Sequence, residues 1–326
     1  ASLAGCSYKV SCHPTGYRIS VRGYSEKLPF LLDTLTTRML SLIAEMKAGD
    51  PALQAKFDKA KESLLRETKN YRLDSPHDVA NYNSRLLMED AVWYLDNYID
   101  VMEGPSAQAH PLTMEDCARS AGESLTGRIR GEALCMGNIN EAETHKVKQV
   151  LERHFLDTAL PLSDAEVPVF RSMKLPTRIE AEHIFGPEVL KRTIPIVHQE
   201  LAFSETEENN AVEIILQAGS ELSLGNEGVA ILDLIGHIAY NSAFSTLRTK
   251  EQLGYIVNSN ARKTTGGGWG LSVSVQSSVA LPEQLEERIE AWLVVFRQEL
   301  EVMSPESMAM EASAVAAQYL ENETKM

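Results

Sequence analysis

The sequence predicts an α+β chain in two domains, and three observations carry that reading. Segments of two-residue period and segments of helical period both recur along the chain. Its 326 residues suffice for about two domains. Between about 156 and 195, Pro161, Pro168, Pro176, Pro187 and Pro195 interrupt the pattern, and no long amphipathic period survives there, which marks a boundary.

Loose alternation over 7–12 and 17–24, around Pro14-Thr15-Gly16, reads as two strands joined by a turn. From 28 to about 46, Leu31, Leu35, Met39, Leu40 and Ile43 recur at helical spacing, and Gly49-Asp50-Pro51 ends the run. Pro51 opens a second helix to about 71. Ser75-Pro76 supplies the N-cap and first-turn proline of a third, running to about 93. Thr113 with Asp116 starts a further helix, 128–137 reads as a strand, and Asn140 with Glu143 forms a capping box for a helix ending near His154. Beyond the prolines, Val212, Ile214 and Leu216 alternate as in a half-buried strand. A long helix follows over about 225–247, with Leu232, Ile235, Ala239 and Ser242 on one side, and it delivers Arg248 at its C-terminal end. Paired strands over 255–262 and 270–276 enclose Gly266-Gly267-Gly268. No G-x-x-x-x-G-K-S/T pattern accompanies these glycines, so they read as a hairpin turn rather than a phosphate cradle. Helical patterns over about 282–301 and 305–319 complete the chain.

An excess of 46 acidic over 31 basic residues, net charge −15, disfavours phosphate binding, so no nucleic-acid partner is expected. No run of eighteen uncharged apolar residues exists to span a membrane. The opening Ala1-Ser2-Leu3-Ala4-Gly5 lacks the basic and apolar regions of a signal peptide, so a cytoplasmic protein with no membrane partner is expected. Its first residue is not methionine, as in an excised fragment. Cys6, Cys12, Cys117 and Cys135 form no C-x-x-C pair and are expected as free thiols. None of the eight histidines falls in H-E-x-x-H or H-x-x-E-H, so no metal ligands are expected within the chain. His237, four residues after Asp233, is spaced to pair with that carboxylate but has no third local ligand.

The candidate functional residues are Phe244, Arg248 and Tyr255. A guanidinium carries five donors in a fixed fork, suited to holding a peptide carbonyl or carboxylate in one orientation. The Tyr255 phenol supplies one neutral donor, suited to a carbonyl oxygen that gains negative charge as water attacks. Gly254, directly before it, lets a second backbone approach closely. Plainer readings stand beside these: an arginine near a helix C-terminus meets the helix dipole favourably, and Phe244, one turn before Arg248, also suits a core position.

The run at 247–257, Leu-Arg-Thr-Lys-Glu-Gln-Leu-Gly-Tyr-Ile-Val, with Phe244 and Ser245 before it and 266–278 after it, resembles the C-terminal half of the insulysin-like members of the pitrilysin family of zinc peptidases. The resemblance covers nearly the whole chain and is most specific over 211–297. It implies two pitrilysin-like (LuxS/metallohydrolase-like) domains, each a mostly antiparallel sheet with helices packed on one face. These are a partial third domain over 1–165, a linker region over 166–195 and a partial fourth domain over 196–326, both domains truncated. It further implies that Arg248, Tyr255 and Phe244 are substrate-binding residues, with Tyr255 an auxiliary catalytic group. The expected cofactor, zinc, would lie in a missing N-terminal half of the same polypeptide, and the chain alone would be inactive. Peptide substrates and that catalytic half are the expected partners. Unpaired sheet edges would favour a homo-oligomer. The alternative is an inactive pitrilysin-like scaffold subunit of a processing peptidase or respiratory complex.

Overall fold

Strand pairing and capping signals organise the described residues, 5–104, 110–157, 159–187 and 196–321 of a computed structural model. In the first half the elements are β1 (Ser7–His13), β2 (Gly16–Arg22), α1 (Leu28–Lys47), α2 (Pro51–Lys69), α3 (Pro76–Met88), α4 (Leu95–Glu103), α5 (Met114–Thr126), β3 (Arg128–Ile129) and α6 (Glu141–Leu151). They continue with β4 (Leu160–Pro161), α7 (Arg178–Phe185), β5 (Asn210–Ser220), α8 (Glu221–Ala243), β6 (Ile256–Lys263), β7 (Gly268–Ser277), α9 (Pro282–Val302) and α10 (Pro305–Glu321). These elements form two compact units. One comprises Ala1–Lys69 and Leu95–Val169, the other Asn70–Tyr94 and Phe170–Met326.

In the first unit, β1 and β2 pair antiparallel from Ser7↔Arg22 to His13↔Gly16. Helix α1 packs on α5 and α6, burying Leu32 on α1 and Met114, Ala118 and Leu125 on α5. Asp33 on α1 accepts a hydrogen bond from His154 Nε2 (2.6 Å) in the turn that follows α6. The cap of α5 is reciprocal: Thr113 Oγ1 accepts from the Asp116 amide (3.1 Å) and the Asp116 carboxylate accepts from the Thr113 amide (3.1 Å). The Thr113 hydroxyl, then its amide, hold the Asp116 carboxyl down at about 2.

Several sequence expectations shift here. Only Arg128–Ile129 of the expected 128–137 strand is extended and paired, parallel to β4. The segment after it contains Gly131 and Gly137 and finds no partner strand. Helix α3 ends at Met88 rather than near Trp93. Within the expected linker, Thr177 and Glu180 form a capping box that starts α7, and Pro195 lies outside the described residues.

In the second unit, β5, β7 and β6 form an antiparallel sheet with β7 in the middle. Pairs such as Ile214↔Val273 and Val257↔Val275 put branched apolar side chains on one face. That face packs against Ile238, Ala239 and Ala243 of α8 and Leu285, Ile289, Trp292 and Phe296 of α9. Trp292 stacks on Phe296 with ring centroids 5.2 Å apart and donates from Nε1 to Ser242 Oγ (3.1 Å), so its one polar atom is satisfied in the core. On α8, Gly236 rides against β6: a Cβ there would lie 2.6 Å from the Ala261 amide nitrogen. Asp233 and His237 do not pair with each other. Asp233 accepts from Tyr319 Oη (2.7 Å) and His237 faces Glu311 (3.2 Å), both on α10.

The opposite face of the sheet is polar, and α3 lies over β5 there. Arg262 Nη1 pairs with Glu213 Oε1 (2.7 Å), with both side chains at least nine-tenths buried. Ser84 Oγ on α3 accepts from Arg262 Nη1 (2.9 Å) and donates to Glu213 Oε2 (2.7 Å), and Ser272 Oγ donates to Glu213 Oε1 (2.7 Å). A charge pair this deep is stable only while both members are present, because removing one strands the other away from water.

Two outcomes follow. Glu213→Ala is expected to cost about 3–5 kcal/mol in urea unfolding, whereas the double change Glu213→Leu with Arg262→Met costs far less; a single-variant loss below about 1 kcal/mol would contradict a charge-dependent clamp. Because the folded-state pKa of Asp116 is depressed, its contribution to α5 is fully present above the ordinary carboxylate value and is lost as pH falls toward about 2. Carboxyl NMR should show Asp116 titrating well below the ordinary aspartate value in a wild-type sample and shifting up toward it in Thr113→Ala, which removes the hydroxyl but keeps the amide.

Candidate functional site

Helix α8 does not stop cleanly. Its last turn widens over Phe244–Lys250 into π geometry, a form rare in helices and frequent at functional sites. The Glu251 amide reaches back five residues to the Thr246 carbonyl (2.9 Å), and the Leu253 amide closes on the Leu247 carbonyl (3.0 Å). Between them Gln252 takes a φ of +54°, a left-handed conformation that costs a non-glycine residue about 1–2 kcal/mol. Glu251 is anchored by a two-pronged pair with Arg288 of α9 (2.8 and 2.7 Å), and Leu247 is completely buried in the core. The chain then passes through Gly254, where a Cβ would stand 1.8 Å from the Gln276 carbonyl oxygen of β7. The glycine therefore permits the close backbone approach expected of it, and β6 begins one residue after Tyr255.

This local path brings the three sequence-predicted residues together. The Arg248 guanidinium carbon lies over the Phe244 ring, 4.7 Å from its centroid, and over the Tyr255 ring at 4.5 Å, both within the range of cation–π attraction. Behind Phe244 stands Tyr240, one turn earlier, with ring centroids 6.2 Å apart and planes tilted by 32°. Tyr240, Asn241, Phe244, Ser245 and Thr249 line an open surface depression of about 380 Å³. Phe244 and Arg248 are half-buried, while Tyr255 is 82% exposed. Among the described residues Arg248 makes no ion pair and no hydrogen bond, and the Tyr255 hydroxyl has no partner, so the donors of both groups are unspent.

Tyr240 and the Glu251–Arg288 anchor were not anticipated. The four-residue spacing Tyr240, Phe244, Arg248 is visible in the sequence, but the π turn and the anchor depend on contacts with α9 and carry no local signature. Among the described residues no three His, Cys, Asp or Glu side chains are grouped as a metal requires. No described helix is long and apolar enough to cross a membrane.

The fold and the sequence have recognisable relatives. The solved structure of pitrilysin superposes with a TM-score of 0.68 over 97% of this chain and 29% of its own length, at 18% identity, so the fold is that of the pitrilysins. Residues 1–101 match the profile of the middle or third domain of peptidase M16, and residues 234–326 match that of the PQQ synthase PqqF-like C-terminal lobe domain 4. Human insulin-degrading enzyme is 29% identical across 100% of this chain. The peroxisomal insulin-degrading enzyme-like 1 of Arabidopsis thaliana is 27% identical over 98% of it. Over nearly its whole length the chain is thus similar to insulin-degrading enzymes, and its first 101 residues match a domain of the M16 peptidases. It spans 28% of the human relative and 30% of the plant one.

Gly254→Ala tests the path that presents Tyr255. A methyl group has no room beside the Gln276 carbonyl, so a loss of about 1–3 kcal/mol is expected in thermal or urea unfolding. Stability equal to wild type would mean that β6 and β7 do not approach as closely as described.

Proposed function

We propose that this chain is the non-catalytic, substrate-embracing half of an insulysin-like zinc metalloendopeptidase that degrades peptides held in a closed chamber. The observation that carries the reading is the pairing of Arg248 and Tyr255 side by side, with no acceptor for their donors among the described residues. The neighbouring carboxylate of Glu251 is already taken by Arg288. Donors left without a protein acceptor are available to a ligand.

The division of labour follows from the chemistry of each group. The planar fork of Arg248 accepts a peptide carbonyl or a carboxylate and fixes its direction. The Tyr255 hydroxyl, exposed and without a partner among the described residues, donates to the carbonyl oxygen as attack by water turns it into an oxyanion. A neutral donor suits that step, since it stabilises developing charge without demanding a proton transfer. Phe244 and Tyr240 offer an apolar edge beside these donors. Zinc, which the name of a putative zinc protease of Caenorhabditis elegans 28% identical to this chain carries, would polarise the same carbonyl from another part of the polypeptide. Peptides are the proposed substrates, and the catalytic half the proposed partner.

Activity of the full-length protein toward a quenched fluorescent peptide tests this reading. Tyr255→Phe is expected to lower kcat about 10²–10³-fold, the usual loss of one oxyanion donor, with unfolding unchanged because the hydroxyl has no partner in the fold. Arg248→Lys should raise KM, since an ammonium cannot reproduce the fork. The isolated 326-residue chain should cleave nothing. Wild-type turnover by Tyr255→Phe removes its catalytic role, and zinc-dependent cleavage by the isolated chain overturns the division of labour.

A further inference from the structure

Arginine has one of the largest rotamer entropies of any side chain. A guanidinium with no protein acceptor would ordinarily spend that freedom, and each substrate molecule would have to quench it anew. Arg248 has no acceptor among the described residues, yet its charged end is not loose, because ring faces cover it on two sides. The two rings differ in what holds them. Tyr255 is 82% exposed, with an unpartnered hydroxyl. Phe244 is half-buried on the π turn, backed by the Tyr240 ring at 6.2 Å, and its carbonyl accepts from Thr249 Oγ1 (3.3 Å). Phe244 is the fixed wall, and Arg248 and Tyr255 are layered onto it.

We propose that Phe244 is a positioning residue that acts through Arg248: its ring face seats the guanidinium against Tyr255 before substrate arrives, so that the peptide oxygen meets a fixed fork. This rests on the proposed role of Arg248 and adds to it a role for an apolar residue that need not touch the substrate. Preorganised groups add to catalysis by removing the ordering cost from the reaction step, and small misplacements of them are costly.

The test uses the full-length protein with Phe244→Leu, which keeps apolar bulk and removes the ring face, and with Phe244→Tyr, which keeps the face. Phe244→Met serves if the branched leucine is not accommodated. Phe244→Leu is expected to lower kcat/KM about tenfold at an unchanged melting temperature, and Phe244→Tyr to restore most of the loss. In protein with ¹⁵N-labelled arginine, the Arg248 Nε–Hε resonance, identified by its absence in Arg248→Lys, should lie displaced by ring currents. It should move toward the ordinary arginine position in Phe244→Leu but not in Phe244→Tyr. A merely structural role would move neither the resonance nor the aromatic rescue. Parent-like kcat/KM and an unmoved resonance in Phe244→Leu would overturn the proposal, as would equal impairment of the leucine and tyrosine variants. Parent-like activity in Arg248→Ala would sink the proposed function itself, and the resonance would still report whether the ring seats the guanidinium, so the two failures are separable.

Discussion

Two close backbone contacts, each made at a glycine, set the geometry on which the site depends. Gly236 lets α8 settle onto β6 at Ala261, and Gly254 lets the start of β6 settle against β7 at Gln276. Together they bring the end of a long helix beside the beginning of a strand. Arg248 and Tyr255, seven residues apart in sequence, thus come to stack although they belong to different elements. The core beneath is well suited to hold them, because Leu247, between Phe244 and Arg248, is wholly buried and ties the π turn to the sheet and α9. Cost is concentrated at the same place: an unusual helix turn and a left-handed glutamine persist only because the surrounding packing and the Glu251–Arg288 pair hold them.

Two arginines of the second unit are held in different ways. Arg262 is buried, paired and serves to bind α3 to the polar sheet face. Arg248 is half-buried and stacked, and among the described residues its donors have no acceptor. The same residue type thus does two jobs, distinguished by where its hydrogen bonds go. Arg262, paired through Nη1, contributes to the fold, whereas Arg248, supported by ring faces and without an acceptor among the described residues, is open to a ligand.

Much of this was legible from the residues, and the remainder was hidden for identifiable reasons. Capping boxes at Thr113 with Asp116 and at Asn140 with Glu143 are local patterns, and both helices begin where they indicate. Alternation over Val212, Ile214 and Leu216 marked β5, and the mixed helix and antiparallel-sheet class holds. Phe244, Arg248 and Tyr255 were singled out by their sequence run, and the structure brings them together. The placement of α3 with residues 70–94 in the second unit was not legible, since it rests on Ser84 meeting Glu213 and Arg262 across more than a hundred residues. Residues 130–137 read as a strand but lack a neighbour to pair with, and a strand is a property of two segments rather than one. Helix α7 was masked by the prolines on either side of it, which overrode a sound capping signal at Thr177 and Glu180.

On the proposed function, the donors of Arg248 and Tyr255, without acceptors among the described residues, are addressed to a bound peptide. A structure of the full-length protein with an uncleaved peptide measures this most directly. The account predicts a peptide oxygen within about 3 Å of the Arg248 fork and another acceptor at the same range from the Tyr255 hydroxyl, with Phe244 still against the guanidinium. A bound peptide that leaves both donors facing solvent, or an Arg248 that pairs with a protein carboxylate instead, would contradict it.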